Sequence, residues 1–320
     1  MEIDAVITWV DGNDPSHRQR MQAFGAASVF SRQDVAGDTR YASLGEIFWC
    51  VASLNRFAPF LRRIFLVTDG QDPHLEPFLE REFPEGYIPV EIVDHKVVFA
   101  GYENYLPVFN SIAIETMQWR IPGLSEHFIM LNDDFMLAAP VTPADFFTPE
   151  GWPVCYAERY SLPWARFTRA IKPRRDGRRK VTFKGVMLHA ADMLGQKGWF
   201  LRLDHTPRPL LRSFYEQWFA AHPESLVRNI RHRFRDADQF STEELQYLSL
   251  YRQGRCRIVS PAGCLFFLQP KHKFRYVERK MARLRRENCK FCCFNSLDLA
   301  APDDRRTILS WISSRLDIAL

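Results

Sequence analysis

Three short apolar segments that each end in acidic residues constrain this chain more than any other feature of its sequence. Residues 3–10 are β-branched and aromatic and run into the turn formers Asp11, Gly12, Asn13, Asp14 and Pro15. Residues 63–70 form a second such run, closed by Asp69 and Gly70, and residues 127–137 carry Asn132, Asp133 and Asp134 inside an apolar stretch. Runs of this length, bounded by turn residues, predict buried strands. Between them the spacing predicts helices. Ser43 and Glu46 have the spacing of a capping box, with Leu44, Ile47, Phe48, Val51 and Leu54 at helical period, and residues 110–120 form a second helical pattern stopped by Pro122 and Gly123. Residues 89–99 predict a further strand. Strands alternating with helices imply an α/β fold with a largely parallel sheet covered on both faces. In such sheets ligands sit beyond the carboxyl ends of the strands, so the acids at Asp11, Asp69 and Asp133-Asp134 should meet at one edge.

A chain of 320 residues fits two domains or one large α/β domain with insertions. The reading is one domain over 1–320: an α/β half over 1–150, a basic insertion or lid over 155–200, and a helical half over 201–320 that completes the site. In that last part Ser241 and Glu244 form a second capping box, opening a helix through about Arg252. Asp303 and Asp304 stand ahead of Ile308, Ile312 and Leu316, which predicts a terminal helix with acids at its positive pole.

Hydrophobic residues at 46% and charged residues at 25% exclude a disordered or fibrous chain. The longest charge-free run, residues 258–270, falls short of the roughly 18 residues a membrane-spanning helix needs. The N-terminus lacks the basic and apolar regions of a secretory signal, so a cytoplasmic location is expected. Seven cysteines without an export signal predict buried thiols rather than a disulfide framework, and Cys289 with Cys292 is half a zinc motif without a second half. The net charge of +5 is local, because residues 172–184 and 271–286 together hold more positive charge than the whole chain. Such segments suit a polyanion or an anionic membrane, or are simply solvated faces.

The sharpest chemical signal is Asn132-Asp133-Asp134. Adjacent carboxylates in an apolar strand are costly unless a cation or hydrogen bonds compensate, and hard Mg²⁺ or Mn²⁺ prefers such oxygens. The plain alternative is a strand-to-turn boundary, where Asn and Asp are turn formers. Arg231, Arg233 and Arg235, followed by Asp238, lie before a helix start and could grip phosphate oxygens or belong to a solvated turn. His205, in a polar turn beside Pro207, is a candidate general base.

Taken together, the blocks form a pattern. Residues 3–15, 38–44, 57–59, 64–71, 109–115 and 120–134, then His205 to Pro209, Arg233 to Asp238 and Phe291 to Asn295, resemble the separated sequence regions of the Stealth family in order and spacing. Two departures stand out: Asn110-Ser111-Ile112 where Ser-Ser is frequent, and Asn295-Ser296 where Asn-Asp is usual.

The resemblance implies a fold of glycosyltransferase-A-like (Rossmann-like) type and a sugar-1-phosphate transferase acting in cell-surface polysaccharide synthesis, with a UDP-sugar donor, a glycan acceptor and release of UMP. On that reading Asp133 and Asp134 hold Mg²⁺ or Mn²⁺, and Asp11, His205 and Asp134 are the catalytic set, with His205 or Asp11 removing the acceptor proton. Arg40, Asp69, Asn110, Ser111, Arg233, Arg235 and Asp238 bind substrate or phosphate. No nucleic-acid partner is expected. Residues 271–286, with Phe274, Val277, Met281 and Leu284 at helical spacing, would touch the core through the apolar stripe and attract an anionic inner membrane or polymer through the charges. Two alternatives stay open at this point: an ordinary metal-dependent glycosyltransferase releasing UDP, and a non-catalytic polyanion-binding protein.

Overall fold

The computed structural model describes residues 1–25, 43–171, 181–270, 275–286 and 288–319. Arg40, Phe274 and most of the basic stretch at 172–184 therefore lie outside the described residues. The first half runs β1 (Ile3–Thr8), α1 (Pro15–Phe24), α2 (Glu46–Phe57), β2 (Ile64–Thr68), α3 (Leu75–Glu82), β3 (Val90–Asp94), α4 (His95–Val98), α5 (Ser111–Met117), β4 (His127–Asn132) and β5 (Phe135–Leu137). The second half runs β6 (Val154–Ser161), α6 (Leu162–Ile171), α7 (Phe183–Met193), β7 (Trp199–Leu203), β8 (Arg208–Leu211), α8 (Arg212–Ala221), α9 (Pro223–Ile230), α10 (Thr242–Arg252), β9 (Arg257–Val259), β10 (Leu265–Leu268), α11 (Tyr276–Leu284), β11 (Phe291–Phe294) and α12 (Pro302–Leu316).

The fold is α/β, as expected. The main sheet has the order β3-β2-β1-β4-β8, with the first four strands parallel and β8 antiparallel at the edge. Its centre is fully buried: Ala5, Val6 and Ile7 of β1 and Ile64 to Val67 of β2 expose nothing. This explains their continuous apolar runs, since a strand covered on both faces has no polar side to alternate with. One acid in that core is structural. Asp4 accepts from Arg62 Nε at 2.9 Å and Nη2 at 2.6 Å and from the Ser125 amide at 2.7 Å, so its charge is paired where it is buried.

Two register relations position the site. Met130 of β4 pairs with Arg208 of β8, so the residues just before β8, His205 among them, run alongside the acidic end of β4. The chain then turns at Asp133-Asp134 into β5, where Phe135 pairs with Cys293 of β11 in the small sheet β10-β11-β5. That pairing carries Asn295 to the same turn.

Several expectations shift in detail. The strand predicted over 89–99 ends at Asp94, whose side chain caps the short α4 by accepting from the Lys96 amide. The N-cap of α2 is Gly45 at φ +92 rather than Ser43, and Glu46 reaches back to the Leu44 amide instead. The second capping box forms where expected: α10 spans Thr242–Arg252, with Ser241 Oγ accepting from the Glu244 amide. The part expected to be helical also supplies β8 to the main sheet and β9, β10 and β11 to the two small ones. Strands of three or four residues hold too few alternations to be read. The stripe of α11 is core, with Val277, Met281 and Leu284 buried. All seven cysteines are free and six are buried. Among the described residues no helix is long and apolar enough to cross a membrane.

Candidate active site

The carboxyl ends of β1, β2 and β4 open into a cavity of about 500 Å³. Of the acids expected at this edge, Asp69, Asp133 and Asp134 line it. Asp11 does not, because its carboxylate turns back to accept from the Asn13 amide at 2.8 Å, while its own amide donates to Gln71 Oε1. The sequence could not separate these cases, since an acid in a turn and an acid in a site look alike.

The acid pair is electrostatically loaded. Desolvation, then the neighbouring Asp134 and Glu46, push the Asp133 carboxyl well above its ordinary range. Burial raises Glu46 as well, with Asp134 and Asp298 adding to it against the Leu44 amide bond. Asp134 accepts at Oδ2 from Asn295 Nδ2 at 2.9 Å and from the Cys293 thiol at 3.4 Å. Its Oδ1, like Asn132 Oδ1, is buried without a hydrogen-bond partner among the described residues. Such orphaned oxygens are expensive unless something electropositive meets them. No preassembled group of three or more His, Cys, Asp or Glu side chains able to hold a metal is found among the described residues.

His205 lies in the same cavity, stacked on Phe267 with ring centres 4.6 Å apart and on Phe183 at 6.0 Å. Burial lowers its pKa while the Asp134 charge works in the opposite direction. The imidazole is thereby held neutral near pH 7, able to accept a proton.

Beside His205, where Arg208 packs over the Phe183 ring, lies a buried charge network. Arg208 and Glu243 form an ion pair with both side chains almost wholly buried, and Glu115 and Arg235 line the cavity beside them. Burial, reinforced by Glu243 and opposed by Arg208 and Arg235, lifts Glu115 to about 7. Arg235 donates to Ser111 Oγ at 2.6 Å. Asn110 also lines the cavity, but its polar atoms are engaged: Oδ1 accepts the Ile112 amide as the cap of α5, and Nδ2 donates to Gln239 Oε1 and the His232 carbonyl.

Two of the expected phosphate binders lie elsewhere. Arg233 donates to the carbonyls of Asn104 and Leu106 and packs over the Phe24 ring, outside the cavity lining. Asp238 is likewise outside it, paired with Arg228, Arg231 and His232. Arg233 and Arg235 stand in one irregular loop, where Arg235 lines the cavity and Arg233 braces the loop against the Asn104 and Leu106 carbonyls. Asp69 accepts from Arg20 Nη2 at 3.0 Å, with His17 4.0 Å away and buried His95 lowered to about 4 by desolvation.

Glu46, Glu115, Arg208, Glu243, Gln269 and Asp298 line the cavity without having been singled out. Glu46 sits in a capping-box pattern and Glu243 in the first turn of a helix, and both places explain an acid at a helix start well enough to hide a second role. Arg208 follows His205 in the chain and was the most accessible to sequence reasoning.

Comparison with known proteins decides the family. The chain matches Stealth protein conserved region 1 over residues 1–29 and conserved region 2 over residues 40–155. It belongs to the Stealth family. An exopolysaccharide phosphotransferase of Streptomyces coelicolor is 33% identical over 95% of this chain and 49% of its own length. A capsular polysaccharide phosphotransferase of Haemophilus influenzae is 29% identical over 83% of this chain and 69% of its own. This Stealth chain spans about half the length of the first of these relatives. Among solved structures, the galactosyltransferase LgtC in complex with donor and acceptor sugar analogues aligns at a TM-score of 0.47 and 11% identity, over 99% of this chain and 96% of that one.

Proposed function

We propose that this Stealth chain transfers a sugar 1-phosphate, N-acetylhexosamine 1-phosphate in the simplest case, from a UDP-sugar to a sugar hydroxyl of a polysaccharide. The observation that carries the reading is the meeting of Asp133, Asp134 and His205 at the antiparallel junction of β4 and β8, in a chain related to polysaccharide phosphotransferases.

The residues fit a divalent cation. Asp133, Asp134 and Asn132 offer oxygen donors only, two of those oxygens lack partners among the described residues, and Mg²⁺ or Mn²⁺ takes its remaining ligands from substrate oxygens and water. When bound, such an ion neutralises charge on the donor diphosphate. Arg235, held by Ser111, is placed to pair with phosphate oxygens. His205 would take the acceptor hydroxyl proton as the acceptor oxygen bonds to the β-phosphorus. The bond from that phosphorus to the oxygen bridging the two phosphates breaks, and UMP leaves. Phosphoryl transfer of this kind depends on alignment and charge neutralisation more than on covalent help.

The test is to incubate the protein with a panel of UDP-sugars, Mg²⁺ or Mn²⁺ and short acceptor glycans, and to identify nucleotide and linkage. UMP with a phosphodiester product is expected. UDP with a plain glycosidic product would replace this reading with ordinary glycosyl transfer.

A further inference from the structure

The cavity at the strand ends cannot enclose a polysaccharide, because about 500 Å³ is in the range of a site for one small-molecule ligand. With a donor inside, the reacting end of a glycan can enter and the rest of the acceptor must leave over the rim. His205 marks the side of departure, since it is the group proposed to take the acceptor proton. On that side the rim is aromatic. Phe183 lines the cavity, stacks on His205 with ring centres 6.0 Å apart, and is 41% exposed.

The aromatic surface continues outward from Phe183. Lys184, exposed at the start of α7, reaches over the Phe200 ring at 6.0 Å, and across the β6–β7 pair Phe200 stands opposite Tyr160 with ring centres 6.3 Å apart. Tyr160 is 38% exposed, and its ring is fixed. Arg202 Nη1 donates to its hydroxyl at 2.6 Å, and the guanidinium lies over the ring at 5.2 Å. The other terminal nitrogen of Arg202 reaches Asp204 Oδ1 at 3.5 Å, and Asp204 directly precedes His205. Phe183, Lys184, Phe200, Tyr160, Arg202 and Asp204 therefore lead out from His205 and back to it.

We propose that Phe183 and Tyr160 are the platform of an acceptor track, on which the sugar units behind the reacting one stack. This inference rests on the proposed transfer to a polysaccharide. The C–H face of a pyranose is apolar and lies flat on an aromatic ring, while Arg202 and Lys184 offer N–H donors to hydroxyl or phosphodiester oxygens at the edge of the sugar. A ring already held by a guanidinium loses little freedom when a sugar binds, which keeps the ordering cost low. The occupant follows from continuity with the cavity. A glycan whose hydroxyl meets His205 and whose chain outruns the cavity passes Phe183, and the next exposed ring along that surface is Tyr160.

The experiment is saturation-transfer difference NMR on the protein without donor or metal, with the monosaccharides and hexasaccharides of glucose, galactose and N-acetylglucosamine as probes. At least one hexasaccharide should bind about tenfold or more tighter than its monosaccharide, and Tyr160→Ala should cut that preference to within about twofold at an unchanged melting temperature. Phe183→Ala should act in the same direction. Tyr102→Ala removes a tyrosine likewise covered by an arginine, Arg120, but outside the cavity lining, and should keep the wild-type preference. Hexasaccharides that bind no tighter than monosaccharides, or Tyr160→Ala and Phe183→Ala variants that keep the wild-type preference, would overturn the proposal. The nucleotide assay separates this inference from the reading beneath it. UMP release without any preference for hexasaccharides removes the track alone, whereas hexasaccharide binding that depends on Tyr160, with UDP released, removes the phosphotransfer reading alone.

Discussion

Asn295 donates from Nδ2 to Oδ2 of Asp134 at 2.9 Å across 161 residues of sequence. The amide is itself fixed, since its Oδ1 accepts from Gln269 Nε2 at 3.1 Å and from Ser296 Oγ at 2.9 Å. One oxygen of the carboxylate is thus occupied and the other left without a protein partner among the described residues. A chain of side-chain bonds that orients a ligand while leaving its second oxygen available is the arrangement that supports a bound cation from its outer shell.

That relationship predicts that Asn295→Ala will weaken Mn²⁺ binding about 10- to 100-fold, the usual loss when an outer-shell partner is removed. Titration calorimetry of the protein with Mn²⁺ alone measures it. Gln269→Ala should cause a smaller loss in the same direction, because it frees the Asn295 amide to rotate without removing it. Unchanged Mn²⁺ affinity in both variants would leave the bond a packing detail.

His205→Ala should lower the chemical rate by about 10² to 10⁴ with little change in donor affinity, as expected of a group that acts on the acceptor proton. Its lowered pKa fixes the form of the pH profile. The imidazole is neutral above that value, so the wild-type rate should be flat near neutrality and fall on the acid side, with an apparent pKa below 6.5. Loss of donor affinity instead of rate would make His205 a binding residue.

Glu115 gives a stability prediction with a definite sign. Its folded-state pKa of about 7 lies above the ordinary value of 4.5, so the folded chain holds an extra proton between those limits. The associated stability is present below about pH 4.5 and is lost as pH rises towards about 7, by on the order of 3 kcal/mol. Glu115→Gln removes this dependence. Urea unfolding of both proteins across that range should show the wild type losing stability relative to the variant as pH rises, and parallel curves would show that Glu115 stays ionised in the fold.

The sequence carried the strand ends well because each strand of a doubly covered sheet is a local apolar run, and a run's last acid is visible in the run itself. Asp69, Asp133 and Asp134 were legible for that reason, and His205 became so through its short motif. What joins them was not. The Met130–Arg208 register and the Asn295–Asp134 bond are pairings between distant segments, and nothing in either segment names its partner. Asp11 shows the complementary failure: its local pattern was right for a strand end, but a bond to the Asn13 amide turns the carboxylate away. Glu46 was hidden by the capping-box pattern and Glu243 by its place as a first-turn acid of α10.

Arg233 and Arg235 stand two residues apart, and the structure separates them. Arg235 lines the cavity and holds Ser111, so Arg235→Ala should raise the donor KM by about 10- to 150-fold, the equivalent of one lost charge-assisted bond to phosphate worth about 1.5–3 kcal/mol. Arg233 instead donates to the carbonyls of Asn104 and Leu106, both outside the lining, and stacks over Phe24. Arg233→Ala should therefore leave the donor KM within about twofold and lower the unfolding free energy by about 1–3 kcal/mol, because two carbonyls lose a charged donor. Steady-state kinetics and urea melts on the two variants read both quantities. If Arg233→Ala impairs donor use as strongly as Arg235→Ala at unchanged stability, the loop must turn in the working enzyme so that both guanidinium groups face the phosphates.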